Sequence, residues 1–204
     1  MREPENIREV LALEPDYMGF IFYPPSKRYI RDFPVETDFG KTKKTGVFVN
    51  EDLSVLLDKA KAYKLDVIQL HGDENPQYCQ AVKKAGYEVF KAVAIDDQYD
   101  FDQLLPFIPF TDMFVFDAKG KLPGGNGIRF NWKKLKEYKA KHSFLLSGGI
   151  GMEHLDEIRN FTHPQWKGID VNSGFEISPG LKNTGFLKEL IKELRNKTDE
   201  KQRG

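Results

Sequence analysis

One aspartate just past an apolar strand, one arginine in a short polar loop and two late clusters of small residues equip this sequence for chemistry. Asp117 follows the apolar run 113–116. Partial burial there would raise its pKa and keep a proton available for transfer, although an aspartate after a strand also commonly caps a turn. Arg28 sits in Ser26-Lys27-Arg28-Tyr29; its guanidinium fork suits a planar carboxylate, but most loop arginines are simply solvated. Gly148, Gly149 and Gly151 form one small-residue loop, and Asn172, Ser173 and Gly174 another. Glycines let backbone N–H groups close on a phosphate, and a short helix after the last strand would add its positive end. Asp170 opens the second loop. His71 and Gln69, in Gln69-Leu70-His71-Gly72, line the same pocket or serve as satisfied core groups. Gly124-Gly125-Asn126-Gly127 reads as a mobile loop after Asp117; it lacks the spacing of a dinucleotide fingerprint.

The elements that must hold these residues alternate between short strands and amphipathic helices. Ile7, Val10 and Leu11 share a helical face behind Pro4. Strands are expected at 17–22, 46–49, 67–70, 89–95, 113–116, 144–146 and 168–171. Between them lie helical patterns: Leu53, Leu56, Leu57 and Ala60; an Asn75-Pro76 start with Gly86 as stop; Phe101, Leu104 and Leu105; Trp132 and Leu135 behind Asn131; Leu155 and Ile158. The last helix reads Leu187, Leu190, Ile191, Leu194. Strand–helix alternation implies a parallel sheet with right-handed crossovers. Doubly wound sheets and barrels both give that pattern. Polar residues after nearly every strand, and glycine turns after the late ones, favour a (β/α)8 TIM barrel, here with about seven strands and a helix first.

The chain has 204 residues with Lys+Arg and Asp+Glu both at 31, so its formal net charge is zero. That argues against nucleic acid or an anionic membrane as partner. The single cysteine, Cys79, allows no intrachain disulfide, which fits a reducing cytoplasm. No apolar run has membrane-spanning length, and the four histidines show no metal-ligand spacing. No linker or repeat interrupts residues 1–195, expected to form one domain. Residues 196–204 read as a charged, disordered tail.

In their order along the whole chain these segments resemble the phosphoribosylanthranilate isomerase family of tryptophan biosynthesis. The resemblance is carried by Gly19-Phe20-Ile21-Phe22-Tyr23 with Ser26-Lys27-Arg28-Tyr29, Gly46-Val47-Phe48-Val49-Asn50, Gln69-Leu70-His71-Gly72, Asp117 with its glycine loop, Ser147-Gly148-Gly149 and Asp170-Val171-Asn172-Ser173-Gly174. It implies an Amadori rearrangement of a small phosphosugar without a cofactor or metal, in a monomer or homodimer. Asp117 would be the general acid and Arg28 the holder of the anthranilate carboxylate. Asp170 and His71 would face the sugar, and Gly148, Gly149, Gly151, Asn172, Ser173 and Gly174 the phosphate.

Two departures accompany it. The family begins with a strand ending in a Lys-x-Cys-Gly-type motif whose cysteine is the general base; this sequence starts just after that point. The base is thus expected to be absent from the chain, through a late start assignment or a truly short product, and the barrel to be open. Cys79, on the inward face of an outer helix, cannot replace it. The charged stretch 30–45, with Pro34 and Gly40, is expected to have lost most or all of the family's second helix. Two other readings stay open: an inactive phosphosugar-binding barrel, and another phosphate-binding barrel enzyme.

Overall fold

A computed structural model describes residues 1–31, 33, 34, 36–119 and 130–203. Seven parallel strands form one sheet in chain order: β1 (Tyr17–Ile21), β2 (Lys43–Phe48), β3 (Val67–Leu70), β4 (Glu88–Ile95), β5 (Met113–Ala118), β6 (Phe144–Leu146) and β7 (Trp166–Ile169). A doubly wound sheet reverses its strand order partway across. Unbroken sequential order is the barrel alternative, so the polar strand ends did favour the right fold. Among the described residues β1 and β7 each pair with one strand only, so the sheet is a curled, open barrel.

The helical layer is more complete than the sheet. It comprises α1 (Pro4–Leu11), α2 (Leu53–Ala62), α3 (Pro76–Lys84), 3-10 helices at Phe101–Phe110, Trp132–Glu137 and Met152–His154, and α4 (Leu155–Asn160). A small antiparallel pair, β8 (Glu176–Ser178) with β9 (Leu181–Lys182), precedes α5 (Thr184–Arg203). α5 packs on both α4 and α1, so helices bridge the side where the sheet is open. Asn6 of α1 also exchanges two hydrogen bonds with the backbone of Lys182, at 2.7 and 2.9 Å.

Local sequence explains most element ends. Asp52 accepts from the backbone N–H of Ser54 and Val55 to start α2, and Asn75 accepts from that of Tyr78 to start α3 ahead of Pro76. Gly86 takes a positive φ of 96° just past α3, where a side chain would be strained. Pro106 and Pro109 cannot donate a backbone hydrogen bond, and the helix holding them is 3-10.

Alternation along the strands divides the apolar residues between two cores. Phe114, Phe116, Phe144 and Phe20 face the helices and are fully buried, each worth about 1.5–3 kcal/mol of transfer free energy. Val67, Phe90, Ala92, Val115 and Leu145 form a smaller core inside the curve of the sheet. No helix lies between β1 and β2 among the described residues, as expected. Phe33 and Phe39 fill that place instead, packing edge-on against Phe20.

The stretch 196–203, expected to belong to a disordered tail, is described as part of α5, which continues to Arg203. Its Lys, Glu and Arg residues are good helix formers, and no glycine or proline interrupts 186–203. The stretch after β7, expected to hold a short helix, forms the β8–β9 hairpin instead; Glu176 and Lys182 are turned inward while Ile177 and Ser178 are exposed, around a turn at Gly180, whose φ is 87°.

Candidate active site

Strand alternation aims the polar residues. Val115 points inward, so Asp117, two residues on, lies on the same face at the C-terminal end of β5. The same logic carries Val67 to Gln69 and His71 after β3, and Leu145 to Ser147 after β6. The structure brings these side chains together. His71 Nε2 lies 3.3 Å from Asp117 Oδ2, and Asp117 is 7% exposed. The Gln69 amide donates to His71 Nδ1 at 3.2 Å. Because Nδ1 accepts there, the ring hydrogen of neutral His71 sits on Nε2 and points at Asp117. Across the site, Ser147 Oγ donates to Asp170 Oδ2 at 3.2 Å. Burial, and then the charge of nearby Asp117, push the Asp170 carboxyl above its ordinary range.

The glycine loops meet beside this group. Gly148 has φ +82°, and a Cβ there would lie 2.4 Å from Ala118 N and 2.5 Å from Asp117 Oδ1, so the loop presses directly on the acid. Gly151 and Gly174 bridge the two loops in parallel, and a Cβ at Gly174 would come within 2.1 Å of Ile150 O. The N–H of Gly151 donates to His154 Nδ1 at 2.9 Å, whereas Asn172 Oδ1 accepts from Lys182 Nζ at 2.7 Å. Gly124-Gly125-Asn126-Gly127 falls outside the described residues.

Arg28 reaches the site's rim from the loop after β1. Its Nε and Nη2 donate to both oxygens of Glu176, the shortest contact being 2.7 Å. Cys79 is fully buried in α3, and burial pushes its thiol up to about 11, which suits a packed core residue and no base.

Four charged residues escaped sequence reasoning. Lys91 donates to Gly72 O at 2.7 Å and pairs with Glu74 at 3.2 Å; Glu74 also accepts from Gly72 N and Asn50 N. This buried pair pins the turn that carries His71. A lysine within Val89-Phe90-Lys91-Ala92-Val93 was a usable signal, since charges are almost never fully buried without a partner. Glu176 and Lys182 gave no such signal, because alternation in a short hairpin looks like a solvated edge. Among the described residues no group of three His, Cys, Asp or Glu is placed to hold a metal ion, and no helix is long and apolar enough to cross a membrane.

Fold and site together define a barrel enzyme with its working side chains at the C-terminal ends of parallel strands. A family model described as N-(5'phosphoribosyl)anthranilate (PRA) isomerase matches residues 1–193. The N-(5'-phosphoribosyl)anthranilate isomerase of Parabacteroides distasonis is 47% identical over 199 residues, covering 95% of this chain and 90% of its own. That of Phocaeicola vulgatus is 42% identical over 197 residues, covering 97% and 96%. The crystal structure of the Thermotoga maritima isomerase superposes with a TM-score of 0.83 at 29% identity, covering 96% of both chains. Another solved isomerase, in complex with reduced 1-(o-carboxyphenylamino)-1-deoxyribulose 5-phosphate, gives 0.79 at 28% identity over 95% of this chain and 94% of its own. The chain belongs to the phosphoribosylanthranilate isomerase family, the isomerases of tryptophan biosynthesis.

Proposed function

We propose that the chain converts N-(5-phosphoribosyl)anthranilate to 1-(2-carboxyphenylamino)-1-deoxyribulose 5-phosphate, with Asp117 as general acid. The observation that carries the reading is the position of Asp117: it lies inside the barrel mouth, bonded to His71 and pressed by the Gly148 loop. An acid beside a glycine-rich anion cradle matches a substrate that joins a ring oxygen to a phosphate.

In the proposed path, Asp117 gives a proton to the furanose oxygen and the C1–O bond breaks, leaving a Schiff base between C1 and the anthranilate nitrogen. A base then removes the C2 proton. The C2–H electron pair forms C1=C2... as the imine electrons settle on nitrogen, giving an enolamine. Proton transfer to C1 and loss of the C2 hydroxyl proton yield the ketone, so the sum is an isomerisation. His71 donates to Asp117 once it is ionised and stabilises that state. Asp170, with its raised pKa, contacts a sugar hydroxyl or relays a proton. Arg28 holds the anthranilate carboxylate by charge-assisted hydrogen bonds. Gly148, Gly149, Gly151, Asn172, Ser173 and Gly174 enclose the phosphate through small side chains and those backbone N–H groups left open, that of Gly151 being spent on His154. By family resemblance the base is a cysteine, a role that Cys79, buried in α3, does not fill. We place the reaction in the cytoplasm, in a monomer or homodimer; the Thermotoga maritima relative is described as dimeric.

The test pairs this chain with one extended by a strand that ends in cysteine, both given fresh phosphoribosylanthranilate. Turnover in the extended form alone supports the acid–base assignment. Equal turnover in both moves the base to a residue of this chain. Tight binding of the reduced product analogue with no turnover in either form would sink the isomerase reading.

A further inference from the structure

We infer that Glu176 is a positioning residue: it orients the Arg28 guanidinium for a ligand carboxylate and couples that arm to the phosphate loop. The inference rests on the proposed role of Arg28 and adds a residue to which neither sequence nor resemblance gave a part.

Glu176 belongs to β8, far along the chain from Arg28. Its carboxylate accepts from Arg28 Nε at 2.9 and 3.0 Å and from Nη2 at 2.7 Å. It also accepts from Lys182 Nζ and from Gly180 N, both at 3.1 Å. The side chains of Arg28, Glu176 and Lys182 are 15%, 4% and 10% exposed. Among the described residues, every hydrogen bond of the Arg28 guanidinium goes to Glu176 through Nε and Nη2, leaving Nη1 for a ligand.

A loop arginine has many rotamers, and fixing one costs side-chain entropy. Glu176 meets that cost before any ligand arrives, which is how preorganisation raises affinity. Lys182 extends the coupling. The same ammonium that pairs with Glu176 donates to Asn172 Oδ1 at 2.7 Å and Val171 O at 3.3 Å, so one carboxylate sets both the carboxylate-gripping arm and the last phosphate loop. Arg28 and Lys182 thus share the Glu176 carboxylate in a largely buried place, and Asp170 adds its charge on the Lys182 side.

The experiment measures affinity of this chain for two probes. One is the reduced product analogue; the other is the same molecule with a plain phenyl ring, lacking the carboxylate. The ratio of their dissociation constants reports carboxylate recognition, and a merely structural role would weaken both probes alike. Glu176→Gln is expected to cut the ratio by about tenfold or more. Adding Glu176→Gln to Arg28→Ala should change the ratio no further. If Arg28→Ala collapses the ratio while Glu176→Gln leaves it intact, the inference is overturned and the role of Arg28 stands. If Arg28→Ala leaves the ratio intact, the role of Arg28 fails and takes the inference with it. Should Glu176→Gln not fold, Glu176→Asp decides: it keeps the charge beside Lys182 but shortens the reach to Arg28. A reduced ratio in that variant supports orientation by Glu176, and a full ratio refutes it.

Discussion

The two polar groups at the mouth of the barrel are built differently. Asp117, His71 and Gln69 form a row and Ser147 with Asp170 a pair, each held by single side-chain contacts of 3.2 to 3.3 Å; Asp117 Oδ1 also accepts from Ala118 N at 2.8 Å, and Asp170 is pushed toward its protonated form. Arg28, Glu176, Lys182 and Asn172 are joined through charge-assisted bonds of 2.7 to 3.1 Å, two of them at 2.7 Å. Burial favours protonation of Glu176, yet the Arg28 hydrogen bonds and the Lys182 charge hold its carboxyl below the ordinary value. Burial lowers Lys182 against the pull of Glu176. The first group draws Asp170 toward protonation and sets a histidine against Asp117, an arrangement suited to moving protons. The second spends its bonds on holding shape, as recognition of a charged ligand requires.

The sharpest way to break this comparison is Asp117→Asn, which keeps shape and removes the proton. In the form that turns over, kcat should fall by about 10²–10⁴, with the reduced product analogue still bound within a few-fold. A comparable loss of binding would place Asp117 among the ligand-holding residues. Next in size is Gly174→Ala. Its new Cβ would meet Ile150 O at 2.1 Å and Gly151 Cα at 2.9 Å, both backbone atoms that can give way only if the two loops part. A stability loss of about 1–3 kcal/mol is expected in urea titrations, with weakened affinity for inorganic phosphate. Unchanged phosphate affinity would remove these loops from the anion site.

Gln69→Leu should act more gently, and on the proton-handling group alone. Without the amide at Nδ1, His71 can place its hydrogen on either nitrogen. A fall in kcat of about tenfold, with KM little changed, is expected; a change in KM alone would mean that Gln69 only shapes the pocket.

The smallest expected effect lies outside both groups. Burial lowers the pKa of His142 and of His163 from the ordinary 6.5, so near that pH the unfolded chain binds more protons than the folded one. These rings therefore contribute stability above pH 6.5 that is lost as pH falls. His163 Nδ1 accepts from Gln165 N, a bond its protonation would break. The urea midpoint should drop slightly between about pH 7.5 and 5.5, and less so in His163→Gln. An equal drop in that variant would put the effect elsewhere.

How much was legible can be argued from single residues. Asn75-Pro76 and Gly86 bracketed α3 because capping and left-handed backbone are local properties. Asp117, His71 and the late glycines stood out because each follows an apolar strand, and in a parallel barrel that position is the mouth. The 3-10 character of Phe101–Phe110 hid behind a helical pattern, although its two prolines were in view. Residues 196–203 join α5 through helix propensity, a signal that charge alone does not carry.

By itself the sequence determined periodicity, hence the strand–helix alternation and the inward face of each strand, and with them which residues reach the mouth of the barrel. It also carried the family, since the strand-end motifs keep their order along the whole chain. Only the tertiary structure decided the pairings: Glu176 with Arg28 across 148 positions, Asn6 with Lys182 across 176, and Gly151 with Gly174. The reason is physical. Caps, turns and alternation depend on neighbours a few residues away, whereas an ion pair between a loop and a hairpin exists only once the sheet has curled and brought its first and last strands around to the same ring of helices.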